Sequence, residues 1–335
     1  MKKRQITIKD IAKALHISPS TVSRSLADHP DISQETKNIV NAYAREHKYK
    51  PNALALSLRT NNTKTIGVIL PQIVHYFFSS VLSGIEDEAE KGGYRVIICQ
   101  SNENYEKEVK GAQALLEARV CGVLASVAKT TTIYNHFQEL IDSDIPMVFF
   151  DRICTGILTD RVVVDDYAGV CSAVEYLIRS GCRRIAFFGS PSHLAISNNR
   201  RMGYEDALRK NGLPVDKELI KICDNYTEAL RLTPELLSLP NRPDAFFAVN
   251  DAIGGLNVVK AKGLRIPDEV SICGFTNNSL AEVSDPLLTS VDQHGYELGA
   301  IAMRLLIERL NGVRDGDRIV SKIIKTNLVV RQSTR

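Results

Sequence analysis

Short β-branched runs alternate with helical segments from Ile66 almost to residue 330. Such alternation predicts parallel, doubly wound sheets covered by helices. Nine or more strands are too many for a single sheet of ordinary size, so we expect two similar α/β lobes. Ligands of such folds bind beyond the carboxyl ends of the strands. The predicted strands are Ile66–Leu70, Arg95–Gln100, Gly122–Ser126, Pro146–Phe150, Arg161–Val164, Arg184–Gly189, Leu219–Cys223, Ala245–Val249, Val270–Phe275 and Lys322–Val330.

The first fifty residues have a different, helical pattern. Thr7 can cap a short helix, with Asp10 as its acidic partner. Ser18 and Pro19 are typical of the start of a second helix, which runs to Leu26. Ser33 can cap a third, which ends near residue 47. Two short helices joined by a tight turn and packed on a third predict a helix-turn-helix unit.

Charge divides the chain near the same place. Residues 1–64 hold 12 Lys and Arg against 5 Asp and Glu, a net charge of +7, whereas the remainder holds 30 against 34, or −4. A small basic module joined to a larger acidic body indicates binding to nucleic acid.

Several classes of protein do not fit this sequence. No apolar run is long enough to span a membrane or to act as a signal peptide, so we expect a cytoplasmic protein. The seven cysteines form no CxxC pair, which favours free thiols and no metal site. An enzyme of this fold would be expected to carry a GxGxxG or GxxxxGK[ST] loop, and neither occurs. We therefore predict neither catalysis nor a cofactor.

An ordered set of motifs resembles the lac/gal repressor family of transcription regulators. The resemblance covers essentially the whole chain. It rests on the following motifs: Thr7–Leu15, Ser20–Arg24, Tyr49–Asn52, His75–Phe78, Phe150–Arg152, Val164–Gly169, Arg200–Tyr204, Val249–Asp251 and Pro286–Gln293.

The resemblance implies three segments. They are a helix-turn-helix headpiece (1–50), a hinge helix with linker (51–64), and a two-lobed core (65–335) similar to periplasmic binding proteins. Lobe 1 would comprise about 65–161 and 294–321, and lobe 2 about 162–293 and 322–335. No leucine heptads follow the last predicted strand, so we expect a homodimer rather than a tetramer.

The family pattern also implies a set of DNA contacts. Pro19 and Ser20 would face base edges, where such small side chains suit a thymine methyl group, and Arg24 would pair with guanine or a phosphate. Leu58 would wedge into the minor groove from the hinge helix, beside Arg59, or alternatively pack in a small core. The residues expected near the phosphate backbone are Thr7, Thr21, Ser23, Ser33 and Thr36. Helix capping alone would also explain why Thr7 and Ser33 carry hydroxyl side chains. The chain departs from the family at Ala27 and Leu56, where one contact each is in doubt.

A second set of residues would bind a small molecule between the lobes. An arginine, an acid and two amides converging on a cleft suit a sugar or sugar derivative, which needs both donors and acceptors. Core or lobe-interface packing would explain Phe77 and Phe78 equally well. An ion pair with Arg152 would explain Asp151, and a salt bridge on its own helix would explain Arg200. The candidate effector residues are Phe77, Phe78, Ser126, Asp151, Arg200, Tyr226, Asn250, Thr276 and Gln293.

These inferences predict a dimeric, ligand-gated repressor that binds a pseudo-palindromic operator. The alternative is a cytoplasmic solute-binding sensor without DNA function, which explains the lobes but not the basic module.

Overall fold

The computed structural model describes residues 6–49, 63–313 and 318–335. It separates into two compact units, Met1–Thr63 and Lys64–Arg335. The predicted hinge helix, with Leu58 and Arg59, lies outside the described residues. None of the helices in the described part of the chain is long and apolar enough to cross a membrane.

The first unit contains three helices: α1 (Ile8–Ala14), α2 (Pro19–Leu26) and α3 (Gln34–Glu46). Each begins after a capping side chain. Thr7 and Asp10 form a capping box, Ser18 accepts a hydrogen bond from the Thr21 amide, and Ser33 accepts one from the Thr36 amide. The helices enclose a small core built from Ile11, Ala12, Val22, Val40 and Ala44.

The second unit contains two six-stranded sheets, one in each lobe. Lobe 1 has the order β11-β5-β4-β3-β1-β2, and lobe 2 has the order β12-β10-β9-β8-β6-β7. All described pairings are parallel except that of β10 with β12. The strands are β1 (Thr65–Leu70), β2 (Arg95–Gln100), β3 (Gly122–Ala125), β4 (Met147–Phe150), β5 (Asp160–Val164), β6 (Ile185–Gly189), β7 (Ile220–Ile222), β8 (Ala245–Ala248), β9 (Ser271–Gly274), β10 (Thr289–Asp292), β11 (Ser321–Ile324) and β12 (Asn327–Val329).

Helices cover the sheets of both lobes. Among them, α4 and α12 pack so closely in lobe 1 that a Cβ atom on Gly299 would lie 1.9 Å from the carbonyl oxygen of Val81. The helices of the second unit are α4 (Tyr76–Lys91), α5 (Tyr105–Glu117), α6 (Asn135–Asp142), α7 (Asp166–Arg179), α8 (Ala195–Lys210), α9 (Tyr226–Leu237), α10 (Ala252–Ala261), α11 (Ser279–Val283) and α12 (Gly295–Leu310).

The chain crosses between the lobes three times, and two crossings differ from the predicted lobe bounds. β5 remains in lobe 1 as far as Val164, because it pairs with β4 and β11. The predicted strand Lys322–Val330 is two strands in different sheets, β11 in lobe 1 and β12 in lobe 2. Residues 325 and 326 carry the chain across, so a continuous β-branched pattern conceals the crossing. β10, which lay inside a family motif, was not predicted as a strand.

Two helices begin just before residues that are predicted to bind a ligand. α4 starts at Tyr76, and α8 starts at Ala195. Neither has a side-chain cap to mark its start. Phe77, Phe78 and Arg200 therefore lie on helices. The predicted class, a helix-turn-helix headpiece joined to a two-lobed α/β core, is confirmed by the comparisons given below.

Candidate DNA-binding surface and ligand cleft

Helix α2 is anchored along one face and exposed along the other. Val22 and Ser25 are buried, and the Ser25 hydroxyl donates to the Thr21 carbonyl oxygen over 2.8 Å. Pro19, Ser20 and Arg24 are exposed. The predicted base-reading residues therefore lie on the side of α2 that is free to enter a groove.

The hydroxyl groups predicted to lie near phosphates already have partners. Thr7 Oγ1 donates to Asp10 over 2.7 Å, and Ser33 Oγ lies 2.9 Å from Thr36 Oγ1. Thr21 and Ser23 are half-buried on α2, and the Thr21 hydroxyl lies 2.9 Å from that of Ser18. The structure thus shows the capping role, and the DNA contacts of these five residues stay a prediction.

Two basic residues of the headpiece differ in availability. Arg24 lies 3.9 Å from Asp31, and its side chain is 56% exposed. Lys37 is 9% exposed, pairs with Asp28 at 2.8 Å and donates to the Asp28 carbonyl oxygen. Lys37 therefore stabilises the turn after α2, where Asp28 has a φ of 53°, whereas more than half of the Arg24 side chain is exposed.

A cleft between the two lobes brings together seven of the nine predicted effector residues. They are Phe77, Phe78, Asp151, Arg200, Asn250, Thr276 and Gln293. Ser126 lies directly behind the cleft, where its hydroxyl faces Asp151 Oδ2 at 3.5 Å. Phe78 is buried, and the Arg152 guanidinium lies 5.7 Å from its ring centre. Packing thus accounts for Phe78, while Phe77 remains half-buried at the wall.

Tyr226 is not part of this group. It begins α9, is 43% exposed, and lines a neighbouring depression of lobe 2 with Leu280. Its hydroxyl accepts a hydrogen bond from Asn257 over 3.2 Å. The depression shares Asn250 and Thr276 with the cleft, but the Tyr226 ring does not line the cleft itself.

Arg200 is the centre of a buried charge cluster. Its Nε donates to Asp166 Oδ1 over 2.7 Å, and its guanidinium lies 4.6 Å from the Phe275 ring centre. Burial raises the pKa of Asp166 to about 6, although the nearby Arg200 opposes the shift. The predicted alternative, a salt bridge within its own helix, is therefore not what forms: Arg200 pairs with Asp166 on α7 and also lines the cleft.

Asp151 is held in a strained position for an L-residue. It follows β4, has a φ of 58° and is buried. Burial raises the pKa of its carboxyl group, with Arg152 and Arg200 acting in the opposite direction. Arg152 Nε is 3.9 Å away, so the predicted ion pair with Arg152 is long.

The two amides of the cleft are oriented by lobe 2. Asn250 Nδ2 donates to Ser190 Oγ over 2.9 Å and to Asp224 Oδ1 over 2.7 Å. Gln293 Nε2 donates to the Phe275 carbonyl oxygen over 2.6 Å, with the Thr276 hydroxyl at 3.4 Å. Each amide thus has its oxygen available to accept from a ligand.

Five charged residues in or beside this cleft were not among the predicted ligand-binding residues: Glu103, Lys129, Arg152, Asp166 and Asp224. Arg152 Nη1 pairs with Glu103 at 2.7 Å, and Lys129 Nζ lies 3.1 Å from Asp224 Oδ1. Arg152 and Asp166 fall inside motifs quoted above. Glu103, Lys129 and Asp224 lie on loops that follow strands. Ligands of such sheets bind beside these loops, so loop position was the sign in the sequence that these residues could belong to the site.

Family comparisons agree with both units. Residues 7–52 match the model "Bacterial regulatory proteins, lacI family", and residues 174–334 match "Periplasmic binding protein-like domain". Among solved structures, the transcriptional regulator CelR–cellobiose complex aligns with a TM-score of 0.74 and 26% identity, covering 98% of this chain and all of that one. The Lac repressor dimer bound to operator and ONPF aligns with a TM-score of 0.87 over 99% of both chains, and at 21% identity it shows the shared fold.

Sequence relatives extend over nearly the full length. The HTH-type transcriptional repressor CytR of Escherichia coli strain K12 is 33% identical, with 98% of this chain and 96% of that protein aligned. Catabolite control protein A of Priestia megaterium is 32% identical, with 98% and 99% aligned. These relatives are transcription regulators rather than enzymes. The chain therefore belongs to the lacI family of bacterial DNA-binding transcription regulators.

Proposed function

We propose that this protein is a homodimeric cytoplasmic repressor whose affinity for a pseudo-palindromic operator is controlled by a small polar ligand. The ligand, a sugar or sugar derivative, binds between the lobes. The observation that carries the proposal is the cleft, where side chains of both lobes place donors and acceptors around one space. A solute sensor without DNA function leaves the exposed face of α2 unexplained.

The charges of the cleft favour a neutral ligand. Each of its three cationic side chains contacts a carboxylate, Arg152 with Glu103, Lys129 with Asp224 and Arg200 with Asp166. An anionic ligand would have to compete with these pairs, whereas hydroxyl groups can both donate and accept. The structural relative in complex with cellobiose supports the sugar class.

DNA recognition is tested on the exposed face of α2. Operator sequences would first be selected from a random duplex pool with the full-length protein. Arg24→Ala should then reduce discrimination between the selected site and a scrambled site about fivefold or more, because a bidentate contact to guanine contributes ~1–3 kcal/mol. Arg45→Ala, which removes the same charge from α3, should weaken binding to both sites equally. Equal effects of the two substitutions would contradict the assignment of Arg24.

Ligand binding is tested by thermal shift on the full chain with neutral sugars, sugar phosphates, nucleosides and purines. A compound that binds only the folded state raises the melting temperature by mass action. We expect the shift to appear with a neutral polyol and to be lost in Asn250→Ala. A compound that retains its full shift in Asn250→Ala and Arg200→Ala does not bind in this cleft.

Dimerisation is supported by apolar side chains exposed on the lobes. Ile222 is 60% exposed at the end of edge strand β7, and Leu280 and Val283 on α11 are 54% and 74% exposed. Apolar surface of this kind commonly marks a protein interface. Light scattering at micromolar concentration should give twice the chain mass. Leu280→Lys should halve it, whereas Leu158→Lys, at a more exposed leucine on the loop before β5, should not.

A further inference from the structure

Lys129, on the loop between β3 and α6 of lobe 1, makes two polar contacts to lobe 2. Its ammonium group lies 3.1 Å from Asp224 Oδ1 on the loop after β7. Its backbone carbonyl oxygen accepts a hydrogen bond from His193 Nε2 on the loop after β6. One residue of lobe 1 thus contacts two separate loops of lobe 2 across the cleft.

The loop that carries Lys129 is fixed by two carboxylates, one fully buried and one partly buried. Glu108 is fully buried and accepts from the Ala128 amide over 2.6 Å and from the Thr131 hydroxyl over 2.7 Å. Glu103 accepts from the Lys129 amide over 2.8 Å. These bonds on both sides of Lys129 hold the loop in place, so the ammonium group reaches across the cleft at a small cost in backbone entropy.

The pair that crosses the cleft is shielded from water. The side chains of Lys129 and Asp224 are only 19% and 20% exposed, so their attraction is less weakened by solvent than that of a surface pair. Glu103 Oε1 lies 4.0 Å from the same ammonium group and adds a second negative charge on the lobe 1 side. Lys129 thus lies between a carboxylate of each lobe.

The pair also shares an atom with the proposed ligand site. Asp224 Oδ1 accepts from Asn250 Nδ2 as well as from Lys129. A ligand hydroxyl that binds Asn250 and Asp224 must take this oxygen from Lys129 or share it. Occupation of the cleft and contact between the lobes are therefore coupled at one carboxylate oxygen.

We propose that Lys129 is a latch that holds the two lobes together through Asp224 and His193 in the ligand-free protein, and that the ligand acts on lobe closure by displacing its ammonium group from Asp224. The latch itself is independent of DNA binding. Its link to the ligand rests on the proposed role of Asn250.

The test is hydrogen–deuterium exchange of the full-length protein without DNA or ligand. Lys129→Met keeps the length of the side chain but removes the charge. We expect amides of the facing loops of lobe 2, at 190–194 and 223–226, to exchange several-fold faster. Lys110→Met, at an exposed lysine of α5 in the same lobe, should leave them unchanged. Asp224→Asn, which keeps the shape of the side chain, should produce the reciprocal increase at 127–131 of lobe 1.

The two substitutions should not add, since both remove one interaction. Exchange in the double variant should match that of either single variant. Unchanged exchange in lobe 2 of Lys129→Met, or additive effects in the double variant, would overturn the latch. An increase that also extends to the buried strand β8 would overturn it too, because it would report general destabilisation.

Discussion

At the scale of single residues, the cleft depends on carboxylates buried beside cations. Asp166 is the clearest example, since it pairs with Arg200 at 2.7 Å but has a pKa raised to about 6 by burial. Removal from water therefore has a larger effect on this carboxyl group than the attraction of its partner does. Below its pKa, Asp166 loses its charge, and Arg200 is left with a weaker constraint.

This shift predicts a dependence of stability on pH. The folded state holds the Asp166 proton with a pKa of about 6 against an ordinary value of 3.8, so between these values the folded state binds more protons. The stabilisation is greatest below the ordinary value and is lost as pH rises through about 6. Wild type should therefore gain melting temperature relative to Asp166→Asn when the pH is lowered from 8 to 5. A difference in melting temperature between the two proteins that does not change with pH would contradict the raised pKa of Asp166.

At the scale of elements, α4 and α12 form the tightest contact of lobe 1. Gly84 and Gly299 let the two backbones meet, and a Cβ atom at Gly84 would lie 2.0 Å from the Tyr296 carbonyl oxygen. The backbone of the neighbouring helix cannot move aside for an added Cβ atom as the end of a flexible side chain can. The two helices therefore have one permitted spacing, which fixes the wall of the cleft that α4 supplies.

We expect Gly299→Ala to lower the free energy of unfolding of the core by about 1–3 kcal/mol, the usual cost of overpacking, or more. Gly255→Ala is the matched control, because it is also helical and its new Cβ would meet nothing closer than Thr233 Oγ1 at 3.7 Å. The control should be neutral or stabilising by up to ~1 kcal/mol through helix propensity. Urea unfolding followed by circular dichroism measures the free energy of unfolding of both variants. Equal changes in this free energy would contradict the packing argument.

Most elements could be predicted from the chain, and the exceptions have physical reasons. The strands from Ile66 to Phe275 have dense β-branched and aromatic runs, which local pattern reports well. β10 has only four residues, Thr289–Asp292, with a short apolar signal. The division between β11 and β12 depends on which sheet each strand joins, which no local pattern encodes. Likewise, Asp224 and Lys129 meet through the folding of two lobes, so their pairing could not be read from spacing.

At the scale of the whole molecule, positive charge is concentrated in residues 1–64 and the remainder of the chain is acidic. The net +7 of residues 1–64 is available to phosphates only in part, because Lys37 is buried against Asp28. The acidic remainder, at −4, adds no attraction to DNA. Specific binding should therefore depend on fewer cations than the sequence contains.

Operator affinity should fall steeply with salt, since each neutralised phosphate contributes about 0.9 to the slope of log K against log salt. Lys37→Met should leave this slope unchanged while lowering the melting temperature of the headpiece. Arg24→Ala should mainly reduce base discrimination, because its proposed partner is a guanine. Anisotropy titrations from 50 to 200 mM salt separate these outcomes, and a reduced slope for Lys37→Met would contradict its structural role.

The threefold crossing between lobes has a consequence for how the protein is made. Strands β11 and β12 pair with β5 and β10 yet follow them by some 160 and 35 residues, respectively. Until these strands leave the ribosome, a nascent chain exposes the edges of β5 and β10 that β11 and β12 later cover, and exposed strand edges promote aggregation. The headpiece core is complete from residue 49 onward. Synthesis that stops early would thus release a headpiece whose core residues are all present, attached to a core domain that lacks its last strands.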